Sequence, residues 1–149
     1  MAIRKIIKGG DPVLEKKSRA VERFDERLGQ LLDDLASTMR AAEGCGLAAV
    51  QVGVLRRAAV VDTGDGLVEL VNPELIGSEG EQEEQEGCLS FPGEQGITRR
   101  PAVVRIKAQN RRGTWCFFKA DGLKARAFCH EIDHMDGILY KSRVVREVE

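Results

Sequence analysis

A chain of 149 residues, 42% apolar and 32% charged, can bury one core without staples and fits a single domain, 1–149. Its formal net charge of −1 excludes an overall basic field of the kind that makes nucleic acid the main partner, and no apolar run approaches the length that spans a bilayer. The basic N-terminus is broken by Lys5 and Lys8 and lacks Ser/Arg richness, so neither a secretory signal nor a transit peptide is expected. A soluble protein of the cytoplasm is.

Residues 25–42 form the first expected element. Leu28, Leu31, Leu32, Leu35 and Met39 recur at three- and four-residue spacing, which places them on one face of an amphipathic helix, with Asp25 as N-cap and Gly44 as stop. A glycine-rich stretch, 44–53, follows. Residues 58–62 and 67–71 read as two strands joined by a Gly-rich turn at 63–66. Residues 79–86 are acidic and polar and read as a solvated loop, apart from Glu86, whose neighbours give it a structural role near the site. A second strand pair is expected at 103–109 and 114–118, turning near 110–113. Asp121 then caps a final helix to about Asp136, closed by Gly137. Strands grouped between terminal helices predict an α+β fold rather than alternating βαβ units.

Both histidines of the chain fall in His130-Glu131-Ile132-Asp133-His134. On a helix, positions i and i+4 share a face, so both imidazoles can reach one point and bind one metal ion. Glu131 sits one residue along, free to act on water at that ion. A catalytic site of this type needs a third protein ligand, and the helix does not supply it. Tyr140 stands where the HExxHxxGxxH pattern has its third histidine. Glu147 has no good helical context, which leaves a thiolate. Of Cys45, Cys88, Cys116 and Cys129, no pair has C-x-x-C spacing, and disulfides are not expected in the cytosol. Cys88 lies in Glu86-Gly87-Cys88-Leu89-Ser90, where Gly87 permits close backbone approach. From the residues alone, Cys88 reads as a small buried side chain more often than as a ligand.

Three segments in order, GCGLAAVQ (44–51), EGCLS (86–90) and HEIDH (130–134), resemble the peptide deformylase family. The flanking DPVL (11–14), VNP (71–73) and DGL (121–123) resemble it too, so the likeness covers nearly the whole chain. It implies antiparallel sheets packed around a C-terminal HExxH helix, with an amphipathic N-terminal helix. It implies that Cys88, His130 and His134 hold one divalent metal, ferrous iron in the cell, with zinc, nickel or cobalt able to replace it. Glu131 would move the protons, and Gln51 with the backbone N–H of Leu89 would steady the oxyanion. Gly44, Cys45, Gly46, Leu47 and Gly87 would bind a substrate peptide laid alongside like an added strand. The implied activity is removal of the formyl group from N-formylmethionyl peptides, with transient contact at the ribosome exit region, no direct reading of nucleic acid and no membrane.

The chain departs from the family pattern at a few places. Cys129 replaces a usual glutamine, Cys45 a usual aliphatic residue, Met135 a leucine and Gln95 an arginine. Arg126 reads as a structural helix arginine, while Leu123 and Ala127 read equally as lining of a methionine pocket or as core. An HExxH metalloprotease is disfavoured by the missing third His or Glu. A non-enzymatic metal-binding or ribosome-docking module is disfavoured by Glu131 and Gln51, which metal binding alone does not need.

Overall fold

The computed structural model describes residues 2–149. Asp25 caps α1 (Glu26–Ala41) by accepting from the Leu28 backbone N–H at 3.1 Å. The predicted stripe of Leu28, Leu31, Leu32, Leu35 and Met39 is buried. Truncating a side chain such as Leu35 to alanine would cost about 2–5 kcal/mol. The chain leaves α1 through Glu43, in left-handed conformation at φ 58°, and the Gly44 N–H closes on Met39 O at 3.0 Å.

Five antiparallel strands form the larger sheet: β1 (Gly46–Ala48), β2 (Ala58–Val61), β3 (Val68–Glu79), β6 (Val103–Gln109) and β7 (Trp115–Asp121), in the order β1-β2-β3-β6-β7. β2 is buried on both faces. Ala58 and Val60 pack with the α1 leucines, while Ala59 and Val61 pack with Phe128 and Met135 of α2 (Gly122–Met135). The two-residue period of a strand thus divides one sheet between two cores. Both predicted strand pairs are present, as β2–β3 and β6–β7. β3 runs further than expected because it passes through Asn72 and Pro73, where the register shifts. Pro73 has no N–H to give the ladder. Asn72, at φ 49°, takes over with its side chain, accepting from Val21 N at 2.8 Å and donating to Val21 O at 2.9 Å and Gln109 Oε1 at 2.8 Å.

The acidic stretch corrects the sequence reading. Instead of a solvated loop it contains β4 (Gln82–Cys88), paired with β5 (Phe91–Arg100) in a smaller sheet of order β4-β5-β8 that β8 (Val144–Arg146) completes. One of its acids is neutralised directly across the ladder: Glu83 lies opposite Arg99 and is bonded to it at 2.9 Å. Asp121 does precede α2, but its side chain makes no cap hydrogen bond. Gly137 follows α2 at φ 74°, so close to the Glu15 backbone that a Cβ would stand 2.5 Å from its carbonyl oxygen.

Candidate metal centre

α2 brings His130, Glu131 and His134 to its buried side. The helical spacing sets the two Nε2 atoms 3.1 Å apart. Cys88, the last residue of β4, brings Sγ to 3.4 Å from His134 Nε2. The three donor atoms lie within 4.8 Å of one another. Two imidazole nitrogens and a sulfur, with no carboxylate among them, fit a borderline ion such as zinc, ferrous iron, nickel or cobalt better than calcium or magnesium. Two Nε2 atoms this close can share only one proton between them, whereas a cation can accept both lone pairs. Cys129 is not in the cluster; burial pushes its thiol up to about 11.

A charged scaffold orients the site. His130 Nδ1 lies 2.6 Å from Glu86 Oε2. Arg100 bonds the same carboxylate at 2.7 and 3.2 Å, and Thr98 Oγ1 donates to it at 2.7 Å. Although burial alone would raise the carboxyl of Glu86, His130 and Arg100 hold it down at about 2. An ionised Glu86 keeps a proton on Nδ1 and turns the Nε2 lone pair toward Cys88 and His134. Burial pulls the His130 imidazole down, but its bonds to Cys88 and Glu86 and the charge on Glu131 push it well above its ordinary value. A proton held there is one that a cation must displace. Burial pulls His134 well below its ordinary value, so that ring is neutral. Arg100 also bonds Asp133 of α2 at 2.6 Å, tying β5 to the helix.

Glu131 Oε1 is buried without a hydrogen-bond partner. Burial pushes its carboxyl up to about 7, against the opposing charge of His130. On the other side of the thiol, Gln51 Oε1 accepts from Ala48 N at 3.0 Å. That fixes the amide so that Nε2 donates to Ser90 Oγ at 3.1 Å and Cys88 Sγ at 3.5 Å.

The centre opens into a cavity of about 640 Å³. One wall is Gly44, Cys45 and Gly46; the facing wall is Gly87, Cys88 and Leu89; Leu123 and Ala127 of α2 close the floor. β1 and β4 are edge strands of their sheets, so both walls carry unpaired backbone groups. Leu47 departs from its neighbours: its side chain is fully buried in the α1 core, and it does not line the cavity. Leu123 is half exposed and Ala127 buried, and both line the cavity. Arg126 is held by Gln82 Oε1 at 2.8 Å and Gln85 O at 3.3 Å, and it too lines the cavity. Sequence reasoning missed Arg100 and Thr98, and gave no role to Asp133 and Ser90 although both lie in the quoted motifs. Each lies on a different element from the residue it supports, and no local spacing announces it.

A model of the polypeptide deformylase family matches residues 3–149. The peptide deformylase of Caldicellulosiruptor bescii is 55% identical over 148 residues, 99% of this chain and 89% of that protein. The crystal structure of the peptide deformylase of Thermotoga maritima superposes with a TM-score of 0.94 at 38% identity, covering 97% of this chain and 99% of that one. That of Synechococcus elongatus in complex with actinonin superposes at 0.92 and 36% identity, covering 95% of this chain and 78% of that one.

Proposed function

We propose a role for each site residue from one premise: the chain belongs to the peptide deformylase family. It is a metal-dependent hydrolase that removes the N-formyl group from the N-terminal formylmethionine of nascent polypeptides, releasing formate. The observation that carries the assignment of roles is the convergence of Cys88, His130 and His134, flanked by Glu131 on one side and Gln51 on the other.

In this reading Cys88 Sγ and the Nε2 atoms of His130 and His134 hold the ion, ferrous iron in the cell. A divalent ion held there supplies Lewis-acid activation of water near neutral pH. Glu131 takes a proton from the attacking water as its oxygen bonds to the formyl carbon. It then delivers a proton to the amine nitrogen as the C–N bond breaks, so one residue serves as base and as acid. Gln51 Nε2 and the Leu89 backbone N–H donate to the formyl oxygen, where negative charge appears only in the transition state. The peptide lies between the free edges of β1 and β4, bonded by the backbone of Gly44, Cys45, Gly46, Leu47 and Gly87. Leu123 and Ala127 receive the methionine side chain. We assign the whole of 1–149 to this one catalytic domain, acting in the cytoplasm and touching the ribosome exit region transiently. Among the described residues no helix is long and apolar enough to cross a membrane.

The test feeds formyl-Met-Ala-Ser and an internally quenched peptide, separately, to anaerobically prepared protein whose metal content is measured on the same sample. Formate release without internal cleavage is expected, with iron predominating. No formate with iron, nickel or cobalt would overturn the reading; cleavage of the quenched peptide would favour a protease.

A further inference from the structure

A second concave surface lies at the other end of α1. It is a cavity of about 480 Å³ carrying Arg4, Arg23, Arg27 and Arg56 around an apolar floor that includes Val21 and Leu31. The first turn of α1 borders this cavity, and Ala42 and Glu43, just past its last turn, border the metal-site groove. Sixteen helical residues at 1.5 Å each separate the two places by about 24 Å. Arg4 is held by Asp34 at 2.9 Å. Arg23, Arg27 and Arg56 are exposed and, among the described residues, form no ion pair. Two acids share the rim: Glu22, and Asp25, whose carboxylate is engaged as the α1 cap.

The cations continue beyond the cavity. Arg19 bridges to Arg56 through the backbone, and Lys16 and Lys17, also exposed, precede it. A compact anion is usually held by buried, convergent groups; exposed, unpaired cations suit an extended polyanion. Guanidinium forks match phosphate oxygens, and an apolar floor accepts the face of a sugar or base. Glu15, Glu22, Asp25 and Glu26 are interleaved with these cations, so the surplus of positive charge is local and rests on the unpaired guanidinium groups of Arg23, Arg27 and Arg56.

We propose that this arginine-lined groove docks the sugar-phosphate backbone of RNA, without reading sequence, while the metal-site groove stays free. The inference stands apart from the assignment of catalytic roles, because RNA binding is read without turnover. A nascent chain is presented by an RNA-rich particle, so such docking would raise the local concentration of enzyme near its substrate.

The experiment measures the anisotropy of a fluorescein-labelled single-stranded RNA with the metal-loaded full chain across a salt series. Three phosphate contacts at roughly −0.7 each predict a log–log salt slope of about −2. The triple variant R23E/R27E/R56E should bind roughly tenfold or more weakly with a flatter slope. Its formate release from a free formyl-Met peptide should match wild type, which also reports that it folds. The milder R23Q/R56Q pair should show an intermediate loss of affinity. A control pair toward the other end of the β6–β7 ladder, R105E/K119E, should bind as wild type does. Undiminished affinity in the triple variant, or an equal loss in the control pair, overturns the proposal. So does full displacement of the RNA by a mononucleotide at equal phosphate concentration, which would make the occupant a small phosphate ester.

Discussion

Glu131 and Cys88 face the same point in opposite capacities, and metal content separates them. Cys88 Sγ is one of three donors, so Cys88→Ala should lose the ion and the activity together. Glu131 lies beside the donors but is not one of them, so Glu131→Gln should keep the ion while turnover falls by roughly 10²- to 10⁴-fold, toward the upper end because one carboxylate serves both proton transfers. Cys129→Ala should keep both, since that thiol lies outside the cluster. Metal per chain measured beside formate release decides all three; full metal in Cys88→Ala would reverse the assignment. Gln51 is a donor fixed by its own acceptor, the bond from Ala48 N, so its amide is aimed before substrate arrives. Gln51→Leu should retain metal and lose roughly 10²- to 10³-fold in turnover. An unchanged rate would leave Gln51 as a packing residue that bonds Ser90.

Among the elements, β1 shows most directly how backbone serves the site. A Cβ at Gly46 would collide with Glu131 Oε2 and stand 3.1 Å from its carboxyl carbon. Gly46→Ala should therefore fold and bind metal, but it displaces the carboxylate, and a misplacement of about 1 Å can cost on the order of 10²-fold. A wild-type rate in that variant would mean that Glu131 has room to spare. The element scale also shows where the sequence was legible. α1, β2, β6 and α2 were readable because each buries one face or lies wholly in the core, leaving a period of 3.6, an alternation or an apolar run in the chain. The β4–β5 ribbon was not. Glu83 and Glu84 are poor strand formers, and the arginine that compensates Glu83 arrives only with β5. Glu86 was noticed, but its role depends on Thr98, Arg100 and His130, which only the folded chain assembles.

At the scale of the molecule, the N-terminal segment ties the two halves of the site together, and one carboxylate holds its start. Ile7 N donates to Gln51 O at 2.7 Å, and Gly9 N donates to Ser90 O at 2.7 Å, so residues 7–9 bridge the two sides of Cys88. The start of the segment is anchored by Asp34 of α1, which accepts from Ala2 N and from Arg4 Nε, both at 2.9 Å. The backbone bond from Ala2 holds the Asp34 carboxyl below the usual carboxylate range against the opposing effect of burial, with Arg4 and Gln30 adding to it. A carboxyl whose pKa is lower folded than unfolded contributes stability that is complete above the unfolded value of about 3.9 and lost as pH falls through the folded value. The anchor should therefore be at full strength at neutral pH and weaken only below about pH 4. Asp34→Asn removes the charge at every pH. Its Ile7 and Gly9 amides should exchange hydrogen faster than wild type already at pH 7, and the difference should shrink as wild type is acidified. Formate release should fall with that protection, because the segment positions Gln51 and Ser90 from behind. Equal protection of Ile7 and Gly9 in both proteins at pH 7 would mean that the segment is held by its packing alone and that Asp34 serves only to cover the end of α1.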